Sequence, residues 1–280
     1  MALINKIWLR KLKVIVGAIS LLLLMQFTLV LPVSGITNPT PDMENQFPYV
    51  GLFAIDRLDG QGLQLGCTGT LIAPKVFLTA AHCSGWRRLY PDSEIYISLD
   101  QHINEGGVGN KWILAEKMVL HPLWGHDLGN LYDLAVILLT EPVYLSKMPT
   151  LTPAGLLDDL STSGDLREVD FTMIGYGDQA DWEQGPVRFW RDGWRNYAPA
   201  PLMALTPPAI FLNINEHATD GGGACFGDSG GPLLLPTADG ETLVGVSSRL
   251  ADMNCRAMTT YYRIDTPWAQ EFLSQFVILP

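Results

Sequence analysis

From Phe47 onward the chain alternates short apolar stretches with polar, turn-forming breaks. Tyr49–Ile55, Gly69–Ile72, Val76–Thr79, Glu94–Leu99, Trp112–Leu120 and Leu134–Leu139 read as strands. Phe171–Ile174, Ala209–Ile214, Pro232–Leu235, Leu243–Ser247 and Thr259–Ile264 continue the series. Many short strands at fairly even spacing predict an all-β sandwich or barrel. No long amphipathic helix interrupts them, which argues against a βαβ architecture. One helix is predicted, at the C-terminus, over about 266–278. Thr266 can cap it and Pro267 suits its first position. Trp268, Phe272 and Phe276 recur every four residues and give it one apolar face for packing. Glu141–Glu168, rich in Pro, Thr, Ser and Asp, reads as a connection between two halves of similar size. Asp178–Pro208 is irregular too, and its Trp182, Trp190 and Trp194 either flank a cleft or anchor a surface loop. The sequence shows no internal repeat.

Residues 1–35 follow another pattern. Lys6, Arg10, Lys11 and Lys13 form a basic start, Val14 to Leu31 is an uncharged apolar run, and Pro32-Val33-Ser34-Gly35 follows. Basic region, apolar region and small residues are the layout of a secretory signal peptide, with cleavage expected after Gly35. The alternative is an uncleaved membrane anchor, since eighteen residues nearly span a bilayer.

The formal charge of the whole chain is −11. The first 35 residues hold four basic and no acidic side chains, so their removal leaves 14 basic against 29 acidic, a net of −15. So acidic a surface excludes nucleic acid and anionic membranes as partners. The four cysteines, Cys67, Cys83, Cys225 and Cys255, read behind an export signal as two disulfides in any of three pairings. No C-x-x-C or tight Cys/His cluster suggests a metal.

The chemistry centres on Gly227-Asp228-Ser229-Gly230-Gly231-Pro232. A serine between glycines has an exposed hydroxyl and uncrowded backbone N–H groups. Acyl transfer needs both a nucleophile and donors for the oxyanion that develops. Gly227-x-Ser229-x-Gly231 also fits the nucleophile elbow of α/β-hydrolases, but those place their histidine after the serine. None of His82, His102, His121, His126 and His217 follows Ser229, so the base lies upstream. His82, in Leu78-Thr79-Ala80-Ala81-His82-Cys83, has small neighbours and a cysteine anchor. The other four lie in segments without such support. An imidazole base needs a partner to fix its tautomer. Asp133 heads the apolar run Asp133-Leu134-Ala135-Val136-Ile137-Leu138-Leu139, and a carboxylate there is costly to bury unless bonded. Asp127 has no such run beside it and reads as solvated.

Three segments together resemble trypsin/chymotrypsin-like serine proteases (peptidase family S1): Gly66-Cys67-Thr68-Gly69-Thr70-Leu71-Ile72 leading to Thr79-Ala80-Ala81-His82-Cys83; Asp133-Leu134-Ala135; and Gly227-Asp228-Ser229-Gly230-Gly231-Pro232. They stand in the order His, Asp, Ser, and the resemblance covers roughly residues 36–278. His121-Pro122 and Gly175-Tyr176-Gly177 are further landmarks.

The resemblance implies two six-stranded antiparallel β-barrels, the first over about 36–145 and the second over about 165–265, with a short C-terminal helix. It implies a serine endopeptidase that acts on peptides or proteins without cofactor or metal; the signal-like start makes it secreted, and the sequence does not fix the oligomeric state, a monomer being the expectation. The membrane is a partner only if residues 1–35 stay attached. A catalytically silent homologue acting as a binding module is the rival reading. His82, Asp133 and Ser229 would be the triad, with the N–H groups of Gly227 and Ser229 as the oxyanion hole. Ser248, with Ser247 as fallback, would bind the buried aspartate and the substrate backbone. Cys67 would pair with Cys83 and Cys225 with Cys255, and the further bridge common in the second barrel has no cysteines here. Gly223 stands at the base of the primary pocket, where trypsin-like members carry Asp. With Leu250 and Thr259 on the wall, small or medium uncharged P1 residues are expected. Arg249 offers the alternative of acidic ones. Asp100 and Glu105 lie where some members bind calcium, although solvated surface acids are the expectation. Ile36 falls where the family's active enzyme begins, and its amino group would pair with Asp228. Thr37, Asn38 and Pro39 depart from the usual Val and glycines. Since signal cleavage falls just before Ile36, signal removal would itself activate the enzyme.

Overall fold

A computed structural model describes residues 36–127, 129–181, 187–238 and 240–280. The expected signal peptide and Trp182 lie outside the described residues. The first barrel is built from β1 (Val50–Asp56), β2 (Leu63–Ala73), β3 (Val76–Thr79), β4 (Glu94–Ser98), β5 (Ile113–Leu120) and β6 (Ala135–Leu139). Its strands run β1-β2-β3-β6-β5-β4, and β4 closes back on β1, every pair antiparallel. The second comprises β7 (Asp170–Gly175), β8 (Asn196–Leu205), β9 (Ala209–Asn213), β10 (Pro232–Thr237), β11 (Gly240–Leu250) and β12 (Met258–Arg263). Its order is β7-β8-β9-β12-β11-β10, closing on β7. The two halves therefore repeat one topology that the residues do not announce. Thr40–Pro41 pairs with β8, and Thr150–Leu151 runs parallel to β11.

Closure of the first barrel depends on close packing around Phe77, which is fully buried. A Cβ on Gly69 would fall inside the Phe77 ring, and one on Gly51 would lie 2.6 Å from the Ser98 carbonyl. Glycine is the residue that lets neighbouring strands wrap the ring so tightly. One apolar core fills this barrel and continues through Tyr262 and Ile264 to the C-terminal helix. A second core, including Ile36, fills the other barrel.

Four segments differ from the sequence reading. Asp178–Pro208 is not a plain loop. It contains the short antiparallel pair Gln179–Asp181 with Arg188–Trp190, and all of β8 except its barrel partners. The connection after β6 holds a helix, α1 (Leu156–Ser163). The C-terminal helix, α3, covers Pro267–Leu273 and stops short of 278; α2 is the single turn Glu216–Thr219. Thr266 occupies the N-cap position of α3, but its hydroxyl is buried with no partner among the described residues and does not cap. Residues 36–41, expected with the first barrel, lie along the second: Thr37 bridges Gly223, and Asn38 donates to the Asp220 and Gly221 carbonyls.

Candidate active site

Each expected triad residue sits where a barrel strand ends. β3 delivers Thr79-Ala80-Ala81 into a 3-10 turn, Ala81–Arg88, whose second residue is His82. Ala80 and Ala81 are fully buried, which only small side chains permit there. Asp133 lies just before β6. Tyr132 ahead of it adopts φ +50°, and the Leu134 N–H bonds back to the Tyr132 carbonyl at 2.8 Å. That tight turn, in a backbone region costly for a bulky residue, lifts the carboxylate off the strand line. Tyr132 is held in place by its ring, stacked on His121 at 4.8 Å.

Asp133 is 1% exposed and bonded on three sides. Its Oδ1 accepts the His82 backbone N–H at 2.9 Å. Its Oδ2 meets His82 Nδ1 at 2.8 Å and accepts the Ser248 hydroxyl at 2.5 Å. Ser248, not Ser247, is therefore the aspartate's hydroxyl partner. The imidazole edge away from Asp133 remains partly open, its side chain 32% exposed. Asp127, by contrast, is exposed and, among the described residues, accepts just the nearby Gly129 N–H.

Ser229 lies in the turn between Asp228 and β10. Its carbonyl accepts the Thr68 N–H at 2.9 Å and lies 3.8 Å from the Cys83 sulfur, so the turn rests against the residue following His82. Thr68 contributes more than its place in the Cys67 segment suggested. Its hydroxyl donates to the Gly227 carbonyl and accepts the Tyr176 N–H, tying the nucleophile turn to both barrels. Gly227 has φ +95° and Gly230 φ +84°, a conformation that glycine adopts without strain. Among the described residues, neither the Gly227 nor the Ser229 N–H donates a hydrogen bond.

Sequence reasoning missed Arg191. It pairs with Asp178 at 2.9 Å, and its guanidinium occupies the space a Cβ on Gly227 would need. The Asp178 N–H bonds the Phe226 carbonyl, so this ion pair backs the turn from outside. A lone arginine in an irregular stretch carries no local sign of that role.

The cysteines pair Cys67–Cys83 and Cys225–Cys255. Cys67 and Cys83, with His82, form the one group of potential ligand atoms close enough for a metal among the described residues. Both sulfurs are committed to the disulfide. Asp100 Oδ2 accepts from Asn110 Nδ2 and the Lys111 N–H, and Glu105 is exposed.

Gly223 is buried, and a Cβ on it would lie within 2.7 Å of Ile214 Cδ1 and Cγ2. Ile214 thus fills the place where an acidic side chain would stand. Leu250 packs against the Cys225–Cys255 cluster and faces Thr259 across the β11–β12 pair. Arg249 lines a cavity together with Ser248, Phe211 and Trp268. Buried Asp228 accepts the Gly177 and Cys225 N–H groups, both at 2.8 Å. Burial nevertheless pushes its carboxyl up to about 7, against the lowering effects of those two N–H groups and of Arg191.

The first barrel's Asp133 thus meets the His82 ring and, from the second barrel, the Ser248 hydroxyl, with the Ser229 turn resting on Thr68 and Cys83. The family model described as Trypsin matches residues 36–269, and the chain belongs to the trypsin family of serine peptidases. Proproteinase E of Bos taurus is 27% identical over 238 residues, covering 74% of this chain and 83% of its own. Chymotrypsin-like elastase family member 3B of Homo sapiens is 28% identical over 234 residues, with 74% and 78% covered. Serine protease 28 of Mus musculus is 26% identical over 220 residues, with 72% and 75% covered.

Proposed function

We propose that the chain is a secreted serine endopeptidase with His82, Asp133 and Ser229 as its triad. The observation that carries this reading is the Asp133 carboxylate, which holds the His82 backbone, the His82 ring and the Ser248 hydroxyl at once. That grip fixes the ring with Nδ1 as donor and leaves Nε2 to accept the Ser229 proton. The serine oxygen attacks the peptide carbonyl, and the carbonyl oxygen takes the negative charge beside the Gly227 and Ser229 N–H groups. His82 then protonates the leaving amine, and water, activated by the same ring, releases the acyl group. The test compares the protein with its Ser229→Ala variant. Fluorophosphonate labelling and peptide turnover are expected in the first, and loss of label with a fall of about 10⁶ in kcat in the second. Absence of labelling in the folded parent protein would refute the proposal.

The P1 preference follows from the pocket floor: Ile214 beneath Gly223 and Leu250 on the wall favour small or medium uncharged side chains.

Residues 1–35 act as the export signal in this proposal, and their removal frees the amine of Ile36, a residue already 0% exposed. The sign of the pH dependence distinguishes the two forms. In the uncleaved chain the Asp228 pKa stands above its unfolded value of 3.8, at about 7. The folded form then keeps a proton that the unfolded form releases. Stability is full below pH 4 and falls as pH rises toward 7, by up to ~4 kcal/mol. A free Ile36 amine beside Asp228 holds the carboxylate ionised and removes that loss. Urea midpoints at pH 4 and pH 7.5 are expected to fall with pH in the uncleaved chain only, and Asp228→Asn flattens its curve. Equal slopes in both forms, or a mature terminus other than Ile36 by mass spectrometry, would refute the assignment.

A further inference from the structure

A cavity of about 590 Å³ opens next to Ser248, outside the pocket over Gly223. Asn130 and Leu131, just ahead of Asp133, border it at the catalytic side; Pro208, Phe211, Tyr262 and Trp268 supply further wall. Its one charged lining residue is Arg249. Arg249 is exposed and makes no ion pair or side-chain hydrogen bond among the described residues. The contrast with Arg191, Arg195 and Arg263 is informative, since each of those holds a carboxylate. In a chain with 29 acidic and 18 basic side chains, a cation left unpaired at the mouth of an apolar cavity is charge complementarity awaiting a ligand.

The strand edge beside it says how a ligand would lie. The β10–β11 pairing ends at Val246, whereas β11 continues beside β12 to Leu250. Beyond Val246, Ser248–Leu250 therefore has a strand neighbour on one side only. An extended peptide can add to such an edge by main-chain hydrogen bonds, with pockets reading alternate side chains. Its side chains alternate between faces. If the residue at the scissile bond enters the pocket over Gly223, the second and fourth residues before the bond share the other face, toward the cavity. The volume exceeds what one side chain fills, so the space takes an apolar side chain together with an acidic one.

We infer that Arg249 is a specificity-determining residue, selecting peptides with Asp or Glu at the second or fourth place before the cleaved bond. This deepens the endopeptidase reading and rests on it. The guanidinium is a planar fork that holds a carboxylate bidentately and stacks on aromatic walls such as Phe211 or Trp268. The amino-terminal side of the substrate, rather than the P1 residue, carries the acidic preference.

The test is a set of matched fluorogenic peptides differing only in Glu, Gln or Lys at those two places. The readout is the ratio of kcat/KM between them, which cancels any loss of folded enzyme. The parent protein is expected to favour Glu over Gln about three- to fivefold at one place, the size expected of an exposed charged contact. Arg249→Gln brings that ratio close to one, and Arg249→Glu turns it toward Lys. Cleavage of the Gln peptides with no Glu preference, or a preference that survives Arg249→Gln, would overturn this inference while leaving the endopeptidase reading intact. If fluorophosphonate fails to label the protein, the endopeptidase reading falls. Fluorescence anisotropy of the same peptides on the parent and Arg249→Gln chains then decides: equal binding of Glu and Gln peptides refutes the role of Arg249, and tighter, Arg249-dependent Glu binding supports it.

Discussion

Asp133→Asn is expected to lower kcat about 10⁴-fold, ~5.5 kcal/mol of transition-state stabilisation, while KM moves far less. An ionised carboxylate only accepts, and Asp133 meets three donors: the His82 N–H, the His82 ring and the Ser248 hydroxyl. An asparagine has one oxygen and one NH₂ group. With the oxygen toward the His82 backbone, the NH₂ group faces Nδ1 and forces the ring to accept there. The ring proton then sits on Nε2, the nitrogen that must take the serine proton. With the amide reversed, two N–H groups oppose each other in a buried site, which costs ~1–3 kcal/mol. The first orientation removes the base without removing the nucleophile; the second keeps the ring's tautomer but is disfavoured by the opposed donors, so the first carries the loss. Steady-state kinetics, with histidine NMR to read the tautomer, check this. A kcat within tenfold of the parent's would show that Asp133 does not orient His82.

Why were these three residues legible from one chain? Each is confined by chemistry that leaves a local mark. Gly227 and Gly230 beside Ser229 stand at positive φ, the alanines before His82 are buried, and the apolar run after Asp133 is a barrel strand. Strand β3 could be read to the residue because Val76–Thr79 is a continuous apolar run between turns.

What escaped is non-local. Strand β8 carries Pro199 and Pro201, which argue against a central strand. It tolerates them because its pairing is divided. Asn196–Pro201 lies along β7, and Leu202–Leu205 lies along β9. Only Asn196–Tyr197 is flanked on both sides, by β7 and Thr40–Pro41; Pro199 and Pro201 have β7 alone as strand neighbour, so neither has a second ladder to donate to. Helix α1 follows Gly155, which offers no capping side chain. Its Leu157 N–H is bonded instead by Asp265, 108 residues away, at 2.9 Å. Local reading favoured Thr266 as a helix cap for its hydroxyl, yet that hydroxyl goes unused. The repeated barrel topology leaves no repeat in the residues, because a strand needs only alternating burial and admissible turns, which many sequences satisfy.

Arg195 lies in the same unread stretch, and replacing it is expected to have the largest effect on stability. It is 0% exposed and joins three parts of the fold. Nε pairs with Asp42 at 2.8 Å, Nη1 donates to the carbonyls of Val50 and Leu99, and Nη2 reaches Asn45. Its backbone bonds Asp42 and Gln101 as well. Arg195→Met keeps much of the bulk but leaves the Asp42 carboxylate without its cation in a dry interior. The Gln46 and Phe47 N–H groups that also bond Asp42 offset part of the charge. A loss of ~3–5 kcal/mol is expected, a large share of the 5–15 kcal/mol typical of a folded protein. Arg195→Lys rescues little, because a single ammonium cannot reach four acceptors held in a fork. The double variant Asp42→Asn with Arg195→Met recovers part of the loss, since it no longer buries an unpaired charge. Urea midpoints at unchanged m-value decide the matter. A loss below about 1 kcal/mol for Arg195→Met would mean that the ion pair is no more than neutral packing, and that the leading segment is held to the barrels by its backbone contacts alone.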